Sequence, residues 1–300
     1  MVPGPPERAT LARVLLLVDL DGVVYRGAAP IPGVAAVLAD RAARGDTVVY
    51  VTNNSMHYRA DYVTRLTDLG APVSADRVVS SARATALYLA GLEAEPPVRR
   101  VLAVGAGGLE RECRDAGLDV VTAAHAATRL AHEGTSGWEA AGHPDAVVVG
   151  LDPQFTYQKL AVAVDCVLHG ARFVATNRDP IFPTEHGTRP GAGAIVAAVE
   201  AAAQVTPISI GKPGPLLLEM AIRAAGAGFS GDDAVMIGDS LTTDVAAANG
   251  LGIRSVLVLT GITTRAQADA APAGERPSAV ADGAAQLAAV LEGLAAGSRP

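Results

Sequence analysis

At 300 residues the chain is long enough for one large domain or two of ordinary size, and its composition, 50% hydrophobic and 18% charged, excludes a disordered protein. A net charge of −7, from 24 basic and 31 acidic residues, argues against a nucleic-acid binder, because no basic surplus is left to neutralise phosphates. No uncharged apolar run approaches the roughly 20 residues of a membrane span, and the start has no signal-peptide pattern. With only two cysteines, we expect a cytoplasmic protein.

Short β-branched segments alternate with helical patterns along the chain, which predicts an α/β fold built on parallel strands. Between the first strands, helices are predicted at residues 33–44 and 59–69. The strands are too many for one compact sheet. They are predicted at residues 14–18, 47–52, 77–80, 101–104, 146–149, 172–176, 208–210, 234–237 and 255–259.

The residues directly after the predicted strands divide the chain into two parts. Polar clusters come after the strands that end near residues 18, 52, 210 and 237, and ligands bind at the carboxyl ends of such strands. The strands between residues 98 and 176 lead into turns with fewer titratable groups. We therefore predict a separate α/β insert at 82–187, within a unit formed by 1–81 and 188–300.

Asp19 and Asp21 stand two residues apart at the end of the first strand, where extended geometry points both side chains the same way. Two carboxylates this close require a cation, or one of them holds a proton and can act as a general acid. The alternative is a solvated turn, since Asp-Gly is a common loop dipeptide.

A second acidic cluster comes after the strand at 234–237, in the segment Gly238-Asp239-Ser240-Leu241-Thr242-Thr243-Asp244. Asp239 is placed to reach a metal held by Asp19. Oxygen ligands without histidine or cysteine favour Mg²⁺ over zinc. Asp244 is predicted either to interact with the dipole of the next helix or to support the metal ligands.

Thr52, Asn53, Asn54 and Ser55 bring a hydroxyl, amides and backbone N–H groups to another strand end. This cluster predicts a site for a phosphate dianion, and it is also typical of a helix N-cap. Lys212 is one of only two lysines in the chain. Its place at a strand end indicates a compact positive charge that serves the site. The alternative is an ordinary surface charge.

Taken in order, the Asp-x-Asp pair, the Thr-Asn cluster, the lysine and Gly-Asp-x-x-x-Thr-Asp resemble the haloacid dehalogenase (HAD) superfamily of phosphotransferases, over nearly the whole chain. The forms Asp19-Leu20-Asp21-Gly22-Val23-Val24-Tyr25, Thr52-Asn53-Asn54-Ser55 and Gly211-Lys212-Pro213 look like its subgroup of NagD-type and p-nitrophenyl phosphatases. The resemblance implies a Rossmann-like parallel-sheet core with an α/β cap domain inserted after the third core strand. This agrees with the two-part division above.

The resemblance also implies a Mg²⁺-dependent hydrolysis of small-molecule phosphate monoesters through an aspartyl-phosphate. Asp19 would be the nucleophile, and Asp21 the general acid and base. The metal would be held by Asp19, the backbone carbonyl of Asp21 and Asp239. The phosphoryl oxygens would be bound by Thr52, Asn53, Asn54 and Lys212.

One loop of the insert comes after a predicted strand, and we expect it to face the core site because a cap must close on its substrate. Its candidates for contact with the leaving group are Asn177, Arg178 and Phe182. Ordinary packing is the alternative for Phe182. A structural ion pair with Asp179 or Glu185 is the alternative for Arg178.

Two other functions use similar residues. A signalling receiver accepts a phosphoryl group on a strand-end aspartate, but it needs only about a hundred residues and no second carboxylate two positions later. A phosphomutase differs because the phosphate stays on its substrate. The sequence does not identify the leaving group, assigns no role to Trp138 in the 134–142 loop, and leaves a cap-to-cap homodimer open.

Overall fold

The computed structural model describes residues 13–91, 97–184 and 187–295, which form two parallel sheets flanked by helices. Within these ranges, no helix has both the length and the apolar character needed to cross a membrane. The strands are β1 (Leu15–Asp19), β2 (Tyr25–Arg26), β3 (Ala29–Pro30), β4 (Thr47–Thr52), β5 (Val78–Ser80), β6 (Arg100–Val104), β7 (Asp119–Thr122), β8 (Ala146–Val149), β9 (Arg172–Ala175), β10 (Ile181–Thr184), β11 (Gly187–Pro190), β12 (Ile208–Ser209), β13 (Ala234–Gly238), β14 (Arg254–Val258) and β15 (Ala279–Ala281).

The helices flank the sheets, and most of them connect one parallel strand to the next. They are α1 (Val34–Ala43), α2 (Arg59–Asp68), α3 (Ser81–Ala90), α4 (Gly107–Asp115), α5 (Ala123–Glu133), α6 (Gly137–Ala140), α7 (Tyr157–Leu168), α8 (Ala192–Ala203), α9 (Leu216–Ala225), α10 (Ala246–Leu251), α11 (Arg265–Ala270) and α12 (Ala284–Ala295).

The first sheet has the strand order β15-β14-β13-β1-β4-β5, with every neighbouring pair parallel. All five residues of β1 are buried. Leu15 and Leu17 join one hydrophobic cluster, whereas Leu16 and Val18 join another on the opposite face. A strand covered by helices on both faces needs apolar residues at every position, which explains the continuous apolar run in the sequence.

The second sheet has the order β12-β9-β8-β6-β7 and is also parallel. It contains the strands predicted for the insert and two more, β12 and the edge strand β7, which was not predicted. The division into 1–81 with 188–300 and 82–187 stays a prediction, but β12 pairs with β9 although it lies beyond residue 187. The chain therefore returns to the second sheet before it completes the first.

The two sheets share a hydrophobic core. Helix α9 contacts β1, β4 and β5 of the first sheet and also packs on α3, which in turn packs on α4. One cluster of buried side chains accordingly includes Leu17 and Val49 of the first sheet and Val101 and Val148 of the second. Continuous packing of this kind fixes the second sheet against the first.

The predicted loop at 134–142 contains the short helix α6. This helix begins with a capping box, in which Ser136 and Glu139 satisfy each other's backbone N–H groups. Trp138 on α6 stacks with the imidazole rings of both His143 and His169. This local packing, well separated in sequence from the acidic motifs, accounts for the position of the tryptophan.

Candidate active site

The carboxyl ends of three adjacent strands meet at one edge of the first sheet. Asp19 ends β1, Thr52 ends β4, and Asp239 comes directly after β13. Because β1 lies between β4 and β13, these three residues occupy neighbouring positions. All three are buried, and burial of the two aspartates is rare unless carboxylates are paired or bind a ligand.

Lys212 links two of the acidic side chains. It lies just after β12 of the second sheet, and its ammonium donates hydrogen bonds to Oδ1 of Asp19 at 2.5 Å and Oδ1 of Asp244 at 2.6 Å. Burial by itself lowers the pKa of a lysine. The two carboxylates outweigh burial and raise the pKa of Lys212 above its ordinary value, so the ammonium stays charged.

Asp239 is held by the loop after β14. Its Oδ2 atom accepts a hydrogen bond from the N–H of Ile262 at 2.8 Å, and its backbone oxygen accepts one from the N–H of Thr263 at 3.2 Å. The backbone of Gly261 lies so near that an added Cβ would stand 1.7 Å from Oδ2 of Asp239. Only glycine permits this approach, so the loop fixes the orientation of the carboxylate.

Three buried carboxylates form a candidate metal site. Asp19, Asp239 and Asp244 each offer an oxygen, and these oxygens lie within 4.8 Å of one another. Asp244 already uses Oδ1 for Lys212 and Oδ2 for the N–H groups of Asp239 and Ser240. Within the described part of the chain, Oδ2 of Asp19 and Oδ1 of Asp239 accept no hydrogen bond. Two open carboxylate oxygens suit Mg²⁺, which binds one or two carboxylates and keeps several waters.

The closeness of these carboxylates opposes their ionisation. Burial, and next the neighbouring Asp244 carboxylate, raise the pKa of Asp239 to about 6. Burial also raises the pKa of Asp19, and the Lys212 ammonium acts against this effect. A divalent cation placed among them would favour the charged forms, because an opposite charge stabilises a carboxylate.

Asp21 lies apart from the three buried carboxylates, and its side chain is exposed. Crowding by nearby protein atoms still removes water from the carboxyl group and raises its pKa, whereas Arg65, Lys212 and His57 lower it. A carboxyl group with a raised pKa that remains open to solvent holds its proton more readily than an ordinary aspartate and can exchange it with water. This position fits the acid and base role implied for Asp21.

The loop after β4 is folded on itself. Oγ1 of Thr52 accepts a hydrogen bond from the N–H of Asn54 at 3.2 Å, and Oδ1 of Asn54 accepts one from the N–H of Met56 at 2.9 Å. The N-cap interpretation of this segment is wrong, because α2 begins only at Arg59 and its N-cap is Tyr58. The loop thus presents polar groups at the sheet edge without starting a helix.

The loop also contacts the second sheet and the segments beyond it. Oγ of Ser55 accepts a hydrogen bond from the N–H of Leu151 at 3.1 Å, shortly after β8. The amide of Asn53 bonds to the backbone of Lys212, and its Nδ2 atom donates to Asp179 at 3.1 Å. The candidate phosphate-binding loop is therefore held from several sides.

Of the candidates in the loop after β9, the structure brings Asn177 to the site. Its Nδ2 atom donates a hydrogen bond to the backbone oxygen of Asn53 at 2.7 Å. Arg178 is exposed and pairs with Glu200 of α8 rather than with Asp179, so that predicted pairing is wrong. The other predicted partner, Glu185, lies outside the described residues.

Phe182 lies in a strand rather than in a loop. It is half-buried in β10, opposite Arg189 of β11, in an antiparallel hairpin that begins close to Asp179. Contact of Phe182 with a leaving group stays a prediction.

Sequence reasoning missed two contributors to the site. The sequence indicates Asp179 only as a partner of Arg178, although the structure shows that it bonds to Asn53. The loop that holds Asp239 comes after the predicted strand at 255–259, and its signal is the polar and glycine-containing segment Thr260-Gly261-Ile262-Thr263. Like the polar clusters after the other core strands, this segment follows a predicted strand and therefore indicates a loop at the site.

Two family models match the chain. The model described as haloacid dehalogenase-like hydrolase matches residues 16–119, which include Asp19, Asp21 and Thr52. The model described as HAD-hydrolase-like matches residues 209–287, which include Lys212 and Asp239. The residues gathered at the sheet edge thus come from both matched segments.

Similar proteins align over most of the chain. An acid sugar phosphatase of Staphylococcus saprophyticus is 34% identical over 249 residues, which are 83% of this chain and 87% of that protein. The 5′-nucleotidase YutF of Bacillus subtilis is 32% identical over 249 residues, covering 83% of this chain and 88% of its own. Among solved structures, glycerol phosphate phosphatase Rv1692 of Mycobacterium tuberculosis in complex with magnesium has a TM-score of 0.76 and 34% identity. That match covers 93% of this chain and 77% of the other.

Proposed function

Because the chain belongs to the haloacid dehalogenase-like hydrolases, we propose that it is a magnesium-dependent phosphatase of small phosphate monoesters, acting through an aspartyl-phosphate on Asp19. The observation that carries this proposal is the buried ion pair of Asp19 and Lys212 beside Asp239. Among the described residues, Asp19 and Asp239 each keep one carboxylate oxygen free of hydrogen bonds. A nucleophile, a compact positive charge and metal ligands are thus gathered in one buried place.

In this proposal Asp19 attacks phosphorus. A carboxylate oxygen forms a bond to phosphorus while the bond between phosphorus and the leaving-group oxygen breaks. Water then attacks the aspartyl-phosphate, which releases inorganic phosphate and restores the carboxylate. Because the substrate and Asp19 are both anions, the Lys212 ammonium on Asp19 lowers the repulsion that opposes their approach.

Asp21 moves the protons in both steps. Its protonated form gives a proton to the leaving alkoxide, and the resulting carboxylate accepts a proton from the attacking water. The raised pKa of Asp21 supports the first role, because it keeps a larger fraction protonated than an ordinary aspartate would. Exposure of Asp21 to solvent supports the second role.

The remaining groups bind charge. We place the phosphoryl oxygens against the Lys212 ammonium, the Thr52 hydroxyl and the backbone of the loop that continues to Asn54. Mg²⁺ would be held by the open oxygens of Asp19 and Asp239, together with the backbone carbonyl of Asp21, and would neutralise phosphoryl charge. Asp244 holds Lys212 and the backbone around Asp239 in place.

The similar proteins support small polar leaving groups. They are named for a sugar phosphate, a nucleotide and glycerol phosphate, which share a phosphate monoester on a hydroxylated small molecule. In this chain, the loop after β9 reaches the site through Asn177 and Asp179. We propose substrates of the same class, with this loop and its hairpin next to the leaving group.

Phosphate release tests the proposal. Purified protein is given sugar phosphates, nucleoside monophosphates, glycerol phosphate, phosphoglycolate and p-nitrophenyl phosphate, with Mg²⁺ or with chelator. We expect many turnovers with Mg²⁺, none with chelator, and a loss of at least about a thousandfold in Asp19→Asn. Asp119→Asn, which alters an exposed ion pair with Arg100, serves as the control with unchanged activity.

The other outcomes separate the alternatives. A single labelling event without turnover would indicate a receiver, and phosphate retained on the substrate would indicate a mutase. Full activity in excess chelator, or in Asp19→Asn, would contradict the proposal.

We also propose a cytoplasmic location and leave the oligomeric state to measurement. The two cysteines, Cys113 and Cys166, are buried and unpaired, which is typical of a reducing compartment. Cell fractionation and sedimentation of the purified protein test these two points.

A further inference from the structure

The side chain of Asn53 holds the backbone of Lys212 at two points. Its Oδ1 atom accepts a hydrogen bond from the N–H of Lys212 at 2.8 Å, and its Nδ2 atom donates one to the carbonyl of Lys212 at 2.9 Å. An amide that bonds both to the N–H and to the carbonyl of one residue fixes the position and the orientation of that peptide segment.

The second N–H of the same amide is also in use. It points to the carboxylate of Asp179, with Nδ2 of Asn53 at 3.1 Å from Oδ2 and 3.3 Å from Oδ1. An asparagine has only two N–H donors, and a phosphoryl oxygen needs a donor. The side chain of Asn53 therefore has none left to offer a phosphate group without giving up Lys212 or Asp179.

Asp179 is itself fixed by the end of β9. Its N–H donates to Oδ1 of Asn177 at 3.1 Å, and Nδ2 of Asn177 donates to the backbone oxygen of Asn53 at 2.7 Å. Gly211, just before the lysine, lies so close that an added Cβ would stand 2.7 Å from Oδ1 of Asn53. The hydrogen bonds thus form a closed ring of Asn53, Asn177 and Asp179, and Asn53 connects this ring to the backbone of Lys212.

We propose that Asn53 is a positioning residue that acts through Lys212, and that Asp179 anchors it from the loop after β9. This inference rests on the proposed phosphatase function. Asn53 holds the backbone from which Lys212 reaches Asp19 and Asp244, whereas it leaves phosphoryl binding to other groups. The loop after β9, which we expect beside the leaving group, is thereby connected to the Lys212 ammonium that pairs with Asp19.

Lysine NMR tests the inference directly, because the chain has only two lysines, Lys159 and Lys212. Protein labelled with [¹⁵N]lysine gives two backbone amide signals and two side-chain ammonium signals. In Asn53→Ala, both Lys212 signals should move and its amide should exchange faster with solvent. Lys159, which is buried in a separate pair with Asp152 at 2.7 Å, is the internal control and should not change.

Kinetics with p-nitrophenyl phosphate and Mg²⁺ test the route of action. Asn53→Ala should lower kcat/KM about ten- to hundredfold, mainly through kcat. In a Lys212→Ala background, the same change should cost less than about twofold, because residues that act through one another are not additive. The control variant Asn249→Ala removes an exposed amide that bonds to Gly274 and Arg276, and should keep full activity.

Variants of Asp179 test the same inference without a change to Asn53. Asp179→Ala should move the Lys212 signals and lower kcat, whereas Asp179→Asn should lose less, since its amide oxygen still accepts from Asn53. These variants decide the question if Asn53→Ala does not fold.

Unmoved Lys212 signals, or losses that add fully in the double variant, would overturn the inference and indicate that Asn53 binds the phosphoryl group itself. Absence of turnover in the unmodified protein would instead contradict the proposed function.

Discussion

At the scale of single residues, the main feature of the site is an excess of buried negative charge. Asp19, Asp239 and Asp244 contribute three carboxylates, and Lys212 is the ammonium bonded among them in the described part of the chain. Burying ions costs free energy unless they are paired, so the excess of negative charge is unfavourable in this place. A divalent cation would balance that excess, which is a physical reason for the acidic cluster beyond the identity of its residues.

The glycine beside Asp239 provides a test of this arrangement. Gly261→Ala should displace the Asp239 carboxylate and weaken the apparent Mg²⁺ affinity by about tenfold or more, because the added methyl group cannot fit 1.7 Å from its oxygen. Activity measured against Mg²⁺ concentration gives this affinity. Gly250→Ala, whose added Cβ meets nothing within 4 Å, is the matched control. Equal Mg²⁺ dependence in the two variants would contradict the role of Gly261.

Motif residues could be predicted from the sequence, but their hydrogen bonds could not. Asp19, Asp239 and Lys212 stood out because each comes after an apolar strand. The full use of the Asn53 amide depends on backbone geometry 159 residues away, for which no local signal exists. The pairing of Arg178 with Glu200 likewise depends on how α8 packs.

At the scale of elements, α2 and α4 meet beside the loop after β4. The N–H of Gly108 in α4 donates to the backbone oxygen of Met56, and Arg59 at the start of α2 pairs with the buried Glu112. Arg59 also bonds to Asp115 at 2.5 Å. The same loop therefore carries polar groups of the site and holds the helix that leads into the second sheet.

Removal of Glu112, the buried partner of Arg59, should destabilise the protein. Glu112→Ala should lower the free energy of unfolding by about 2–4 kcal/mol, because it leaves the half-buried Arg59 without its main counter-ion. Glu110→Ala on the same helix removes only a longer, partly exposed pair with Arg114 and should cost less than about 0.5 kcal/mol. Chemical denaturation measures both values. Similar losses in the two variants would show that the contact between α2 and α4 adds little.

Long buried strands were predictable and short exposed ones were not. The predictions at 47–52 and 146–149 agree with β4 and β8 at both ends, because continuous apolar runs define them. The two-residue strands β2 and β3 and the hairpin of β10 and β11 were missed. Such strands have mostly exposed residues, so no burial pattern records them in the sequence.

At the scale of the whole molecule, the site draws on both sheets. Asp19, Thr52 and Asp239 come from strand ends of the first sheet, whereas Lys212 lies after β12 of the second. The sequence predicts a strand at 208–210 but cannot show which sheet it joins, because two-residue β12 carries no pattern that selects β9 as its neighbour. The lysine thus reaches the site from the part of the fold that also carries the loop after β9.

The stability of the whole chain should depend on pH and metal together. The pKa of Asp239 is raised from 3.8 to about 6 in the folded chain, so the folded form binds more protons than the unfolded form between these values. Without metal, this group's contribution to stability is full at low pH and is lost as the pH rises through that window. Mg²⁺ needs the ionised carboxylate, and protons therefore compete with it.

Thermal melting checks this dependence. Saturating Mg²⁺ should raise Tm by about 5 °C at about pH 7.5 and by clearly less at about pH 5. Asp239→Asn should show little rise at either pH. An equal rise at both pH values, or in the variant, would place the metal elsewhere.

The chemistry proposed for Asp19 can be observed in the Asp21→Asn variant. This variant cannot activate water, but p-nitrophenol leaves readily without an acid, so the aspartyl-phosphate should accumulate. With p-nitrophenyl phosphate and Mg²⁺, rapid mixing should release about one equivalent of p-nitrophenol per protein and then almost stop. Mass spectrometry after acid quenching should find one phosphoryl group on the peptide that contains Asp19. A phosphoryl group on another residue, or none while the unmodified protein turns over, would contradict the role of Asp19 as the nucleophile.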